Sequence, residues 1–383
     1  MDREPGILAV EQAGGSRVRL YSNSGLREEP FEPWVLVAYR DVCERAELDG
    51  LMSITDLEGG GEFRHLVRFR SWSDFLAARD RLANDGISHF RLNSPVQQYL
   101  IIAGKTLFEG MRYPDLHRMQ IDIETLSLDA RDPQGRIVLI SVADTKGFEE
   151  VIDGRRASEA EMLRRLNRVI RERDPTVIEG HNLFDFDLWY LKVRAAACGV
   201  RLVWGRDGSD IRFLEGKRRF RAGPKATPYR GAYVYGRHII DTYQQVQRYD
   251  VEGRMKSYGL KSVIRELGLE RQGRVFAAGK DIPRIWRNDP ERLIAYAQDD
   301  VRDVRALSDV VVPTEFYQSQ ILPYAFQDSA QSGPGEKINA LLTGAYLRRG
   351  LAIPRPRPSQ EYPGGYTEIR QVGLFRRVVK ADV

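Results

Sequence analysis

The spacing of apolar and polar residues divides the chain into two textures. Over the first hundred residues short strand-like runs dominate. Residues 7–10 and 17–21 flank the turn-prone Ala13-Gly14-Gly15-Ser16, and residues 34–39 (WVLVAY) have the continuous apolar character of a buried strand. Ser71 caps a helix predicted over 72–82, with Trp72, Phe75, Leu76 and Leu82 as its apolar stripe. From about Lys105 strands and helices alternate. Residues 119–125 and 137–143 read as strands separated by a polar loop, 129–136. An amphipathic helix follows over 159–171 and stops before Pro175. Then come a short strand at 176–179, a helix at 185–197 closed by Gly199, and a strand ending at Ile239 and Ile240. A long helix over 291–310 is entered through Asp289-Pro290. After Pro313 the pattern is helical again, and then a Pro/Gly-rich loop over 354–365. This order predicts an α/β domain with a mixed sheet behind a β-rich N-terminal domain.

Composition changes this picture little. At 383 residues the chain is long enough for two or three domains, and 42% hydrophobic with 30% charged residues is ordinary for a folded protein. The formal net charge of +5 is compatible with a polyanionic partner and does not require one. Cys43 and Cys198 lie in no CxxC or Cys/His cluster, so neither a zinc site nor a disulfide framework is expected. No apolar run has membrane-spanning length, and the start, MDREPGILAV, lacks the basic and apolar regions of a secretory signal. A cytoplasmic location is the expectation.

Three groups of carboxylates carry candidate chemistry. In Asp122-Ile123-Glu124, on a strand, the two acids share a face while Ile121 and Ile123 point into the core. Two adjacent carboxylates repel unless a cation lies between them. The second group is the run 180–187 (GHNLFDFD), after a short strand and at the start of a helix. Asp187 would sit in the first turns, where the helix dipole favours an anion. The third is residues 296–300 (YAQDD). Tyr296 and Asp300, four apart, share a helix face, and Asp303 can extend the stripe. Read singly, each is equally an exposed strand end, an ordinary capped helix start or a solvated acidic face.

Taken in order, the three groups are D-x-E on a strand, N-x4-D at a strand-to-helix turn and Y-x3-D on a late helix. The set resembles the DEDD exonuclease superfamily, in the branch with tyrosine in its third motif. That resemblance implies an RNase H-like fold and two divalent metal ions held by Asp122, Glu124, Asp187 and Asp300, with Tyr296 as the assisting hydroxyl. Oxygen donors without histidine or cysteine suit Mg²⁺ or Mn²⁺. The hydroxyl of tyrosine titrates near 10 in model peptides, so Tyr296 suits a hydrogen-bonding positioner of water better than a strong base.

Neighbouring segments narrow the resemblance to the family B DNA polymerases. The run 181–191 (HNLFDFDLWYL) looks like their second exonuclease motif. Residues 204–209 (WGRDGS) open an insertion before 238–241 (HIID), and in that family the insertion forms a β-hairpin that helps separate primer from template. Here residues 211–230 hold seven Lys/Arg and one Glu, a pattern that fits a phosphate-tracking hairpin and equally a solvated basic loop. Residues 257–263 (SYGLKSV) are similar to the segment before the third motif. Beyond the exonuclease, 336–339 (EKIN) through 348–350 (RRG) look like the helix leading into the palm. Residues 362–366 (YPGGY) resemble the YxGG loop, and 378–382 (VVKAD) resemble the strand carrying the first polymerase aspartate. Asp382 matches that position. It is not expected to function, because the later polymerase motifs do not follow.

The resemblance therefore implies a 3′→5′ exonuclease, the proofreading unit of a family B DNA polymerase, acting on single-stranded 3′ ends and primer–template DNA. It divides the chain into residues 1–104 (N-terminal domain), 105–312 (exonuclease) and 313–383 (start of a palm). DNA contacts are expected at Asn182, Phe186, Lys217, Arg218, Arg219 and Tyr366, although Phe186 is equally a core residue. His181 is expected to be structural. No nucleotide incorporation is expected from this chain alone, and its last sixty to seventy residues are expected to pack poorly without a separate chain carrying the rest of the polymerase. The alternative is a non-catalytic DNA-binding or assembly part of a split or truncated polymerase. A ribonuclease of the same superfamily fits the segments after Gly333 less well.

Overall fold

The computed structural model describes residues 6–41, 48–223, 225–356, 368 and 371–377. Cys43, Tyr366 and Asp382 lie outside these residues.

The N-terminal part holds two antiparallel sheets. Strands Ile7–Ala13, Arg17–Ser22 and Gly25–Pro30 form the first. The second has four strands in the spatial order Leu51–Asp56, His65–Phe69, Trp34–Val37 and His89–Phe90. WVLV is wholly buried at the centre of that sheet, as its unbroken apolar character predicts. The helix Trp72–Asn84 is capped by Ser71, whose Oγ accepts from the Asp74 N–H at 3.1 Å. Phe75, Ala78 and Leu82 are its buried residues, while Trp72 and Leu76 are half-buried.

The centre of the molecule is an open five-stranded mixed sheet. Its spatial order is Glu149–Asp153, Ile137–Asp144, Arg118–Thr125, Val177–Gly180 and His238–Asp241. The first three pair antiparallel and the last two join in parallel. All eight residues of Ile137–Asp144 are buried, which is what a strand covered on both faces requires. One face packs on the helices Glu159–Arg173 and Asp187–Ala197 through Leu163, Leu166, Ile170, Leu188 and Leu191. Against the other lies the 22-residue helix Pro290–Val311, whose buried stripe includes Leu293, Tyr296, Ala297 and Asp300. A two-stranded hairpin, Arg212–Ala222 with Lys225–Tyr233, projects from the inserted segment.

The structure corrects one expectation. Much of the chain after Pro313 is packed, not loose. Helices Pro313–Ser319 and Phe326–Gln331 bury Phe316 and Phe326 in a core shared with Phe108, Val10, Val18 and Val177. The helix Pro334–Arg348 follows, and Ile353 then bridges to Phe63 and packs with Trp34 and Leu36. These residues complete apolar faces of the N-terminal sheets, a partner that no local pattern could indicate.

Candidate active site

Strand Arg118–Thr125 positions the first two acids. Ile121 and Ile123 are buried in the core, so alternation turns Asp122 and Glu124 to the opposite face, towards helix Pro290–Val311. That helix starts at Pro290 with Asp289 as its cap, the side chain accepting from the Arg292 N–H at 3.2 Å. Two turns on, Tyr296 and Asp300 share its buried face. Asp122, Glu124 and Asp300 each bring a carboxylate oxygen within 4.8 Å of the others.

Asp187 enters from the other side of the same strand end. Its helix begins at Asp187, two residues later than the sequence pattern predicts, because the preceding turn is held in a special shape. Asn182 has φ 65°, and Asp241 ties the turn down by accepting from the N–H groups of Asn182 (2.8 Å) and Phe184 (3.2 Å). Asp187 Oδ1 accepts from the Ile123 N–H at 3.2 Å, between Asp122 and Glu124. Asp187 is thus beside the triad, though not within its 4.8 Å circle.

The electrostatics are those of crowded anions. Burial first, then Asp300, holds the Asp122 carboxyl well above its ordinary range. Burial followed by Asp122 and Asp300 does the same to Glu124, and burial followed by Asp122 does so to Asp187. Burial and then Asp300, Glu124 and Asp122 push the Tyr296 hydroxyl upward too, so it stays protonated. Two cations that the sequence reading missed lie among these groups. Lys261 donates to the Tyr296 hydroxyl, sits 4.3 Å from its ring centroid and lies 3.8 Å from Asp300 Oδ2. Arg274, almost wholly buried, donates from Nη2 to Asp300 Oδ1 and from Nε to Asp303 Oδ2 at 2.8 Å. Asp303 does share the stripe, as spacing suggests, and its partner there is Arg274.

A cavity of about 370 Å³ opens over the acids. Asp122, Glu124, Tyr296 and Asp300 form part of its wall, with Leu128, Phe186 and Pro283 as apolar surface and Lys280 as a cation. Phe186 is half-buried and lines this cavity. Asn182 contributes backbone to the turn and does not line it. His181 is structural: its ring nitrogens lie 2.7 Å from the Tyr258 carbonyl and 3.0 Å from Thr242 Oγ1, and burial pushes its pKa down to about 4. Lys217, Arg218 and Arg219 are exposed on the hairpin, but alternation divides them. Arg218 shares the face of buried Phe220 and Tyr229, whereas Lys217 and Arg219 share the face of Arg230.

An open mixed sheet with acids gathered at one strand end is the arrangement that the resemblance to RNase H-like folds implies. Residues 143–263 match the family model described as "DNA polymerase family B, exonuclease domain". Asp187 lies inside that stretch, and the other three acids lie outside it. The chain is 29% identical over 305 residues to a DNA polymerase of Desulfurococcus sp. (strain Tok), covering 75% of this chain and 37% of that protein. It is also 29% identical over 340 residues to a DNA polymerase of Pyrococcus glycovorans, covering 82% and 41%. The family B DNA polymerase of Pyrobaculum calidifontis superposes with a TM-score of 0.71 at 21% identity, over 93% of this chain and 51% of that one. The chain is thus similar to family B DNA polymerases in sequence and fold, and the stretch 143–263 is similar to their exonuclease domain. It spans well under half the length of the curated relatives named here.

Proposed function

We propose that this chain is a divalent-metal-dependent 3′→5′ exodeoxyribonuclease, the proofreading unit of a family B type polymerase, and that residues 105–312 form its catalytic domain. The observation that carries the reading is the convergence of Asp122, Glu124 and Asp300 within 4.8 Å beneath an open cavity, with Tyr296 in its wall and Asp187 held to the Ile123 N–H between two of the acids. Buried anions that raise one another's pKa are a costly arrangement which bound cations relieve, and an all-oxygen donor set fits Mg²⁺ or Mn²⁺. Asp122, Glu124, Asp187 and Asp300 would hold two such ions, which supply charge neutralisation at the scissile phosphate and acidify a water molecule.

The chain's own residues do the rest. Tyr296, kept protonated by burial and then by its anionic surroundings, orients the attacking water by a hydrogen bond and does not act as a base. Lys261 fixes the direction of that hydroxyl. Leu128 and Phe186 offer apolar surface to a terminal base, and Lys280 draws the backbone towards the mouth. A cavity of about 370 Å³ favours a single unpaired terminus over a stacked duplex end. The 3′ polarity and the preference for DNA rest on the relationship to DNA polymerases.

A non-catalytic DNA-binding or assembly role is the second reading. The observation favouring it is that Lys261 and Arg274 already stand on the two oxygens of Asp300. A 5′-labelled single strand incubated with Mg²⁺ or Mn²⁺ separates the two. The catalytic reading expects a ladder shortening from the 3′ end that EDTA abolishes. An intact oligonucleotide, cleavage from the 5′ end or metal-independent cleavage rejects it.

A further inference from the structure

The helix Asp187–Ala197, with Phe186 as its N-cap, carries Trp189 and Lys192, so that the three residues follow at three-residue spacing. Phe186 lines the catalytic cavity, and Lys192 lies about 9 Å further along the helix axis at its usual rise per residue. Between them, half-buried Trp189 gathers three cations around one indole. The Arg230 guanidinium stands 4.6 Å from the ring centroid, and Arg131 and Lys192 each stand at 5.6 Å. Lys192 also lies 4.7 Å from the ring of Phe213 at the base of the hairpin.

Arg131 belongs to the loop that brings Leu128 to the cavity. Tyr190 ties this loop to the helix by donating to the Ser127 carbonyl at 2.9 Å and the Gly135 carbonyl at 2.7 Å. On the hairpin, Arg230 is directly opposite Lys217, a pairing of like charges that costs stability unless an anion is present. Asp185, 3.1 Å from Arg230, is the only carboxylate paired with any of these four cations among the described residues. Excess positive charge held by aromatic rings, continuous with the catalytic mouth, is the footprint of a phosphate-bearing strand.

We propose that Arg131, Trp189, Lys192 and Arg230 form a binding strip for the backbone of single-stranded DNA leaving the catalytic cavity, which carries the strand to Lys217 on the hairpin. The proposal rests on the nuclease reading for the identity of the strand, but its test needs no cleavage. In EDTA, the full chain is titrated with fluorescein-labelled oligothymidylate at several salt concentrations, and binding is read by anisotropy.

The pair Arg131→Glu with Lys192→Glu is expected to weaken binding at low salt roughly tenfold or more. It should also make the slope of log K against log salt shallower by about 1.4, at about 0.7 per lost phosphate contact for a single strand. Trp189→Ala should weaken binding in the same direction, and Trp189→Phe should recover part of the loss. The control, Arg70→Glu just before helix Trp72–Asn84 with Arg81→Glu on it, makes the same change in net charge at exposed positions and should leave the slope alone. If the glutamate pair fails to fold, Arg131→Gln with Lys192→Gln replaces it, with the same expected loss of slope. An unchanged slope in the strip variants, or an equal change in the control, overturns the proposal. If the strip variants lose slope while wild type shows no metal-dependent cleavage, the strip stands and the nuclease assignment falls.

Discussion

The strand Arg118–Thr125 carries buried charge at both ends, and the two ends are built in opposite ways. At its start, Glu179 of the neighbouring strand is fully buried and fully answered. Arg118 Nη1 reaches its Oε1 at 3.0 Å and Gln120 Nε2 the same oxygen at 2.6 Å, while Ser308 Oγ donates to Oε2 at 2.6 Å. Burial pushes the Glu179 carboxyl up, and Arg118, Ser308 and Gln120 pull it back. At the other end Asp122, Glu124 and Asp187 have neighbours of like charge that push in the same direction as burial. Lys261 and Arg274 offset part of this. The first end is a structural ion pair. The second needs cations that the described chain supplies only in part, and on the proposed function that difference marks the end of the sheet where the chemistry would take place.

The largest expected effect falls on the acidic end. Asp122→Ala should lower nuclease turnover roughly a thousandfold or more, as loss of a core catalytic group does. Its melting temperature in EDTA should equal or exceed that of wild type, because one member of a repelling group is gone. A lower melting temperature would show that Asp122 is structural after all. Arg118→Met should behave in the opposite way. Leaving Glu179 buried without its guanidinium should cost about 3–5 kcal/mol in a urea melt, while turnover per folded molecule stays near wild type. Turnover lost in proportion to turnover in the Asp122 variant would erase the distinction.

Tyr296→Phe should be milder, roughly ten- to hundredfold in rate, since only a positioning hydrogen bond goes. A rate equal to wild type would remove Tyr296 from the mechanism. The pH dependence sharpens the contrast further. Acids with folded pKa values above their unfolded 3.8 or 4.5 hold protons that the unfolded chain has released. The native state then binds more protons, so stability in EDTA should fall as pH rises above that range. Mn²⁺ should remove most of the fall and Asp122→Asn should shrink it. A flat urea midpoint between pH 5 and 8, with and without Mn²⁺, would show the acids to be independent. The smallest effect belongs to the exposed hairpin. Lys217→Ala with Arg219→Ala should weaken single-strand binding a few-fold and flatten its salt slope by about 0.7 per lost contact.

The sequence made the acids legible because each lies on an element with a local signature. Alternation around Ile121 and Ile123 oriented Asp122 and Glu124, and four-residue spacing paired Tyr296 with Asp300. The Asp187 turn was misjudged by two residues because its shape depends on Asp241, more than fifty residues away in the chain and with no local pattern of its own. Lys261 and Arg274 were missed for the same reason: a cation on a short helix and one in a loop become partners of Asp300 only after the chain folds. Packing after Pro313 was hidden likewise, since Phe316, Phe326 and Ile353 meet residues hundreds of positions earlier.

The account stands on the acidic end being a metal site, and titrating the metal-free full chain with Mn²⁺, followed by electron paramagnetic resonance, tests that directly. Wild type should bind two ions at the site, Asp122→Ala at most one, and Arg118→Met two among its folded molecules. Wild type that leaves Mn²⁺ free in solution, or an Asp122 variant that binds both ions as wild type does, would contradict the account.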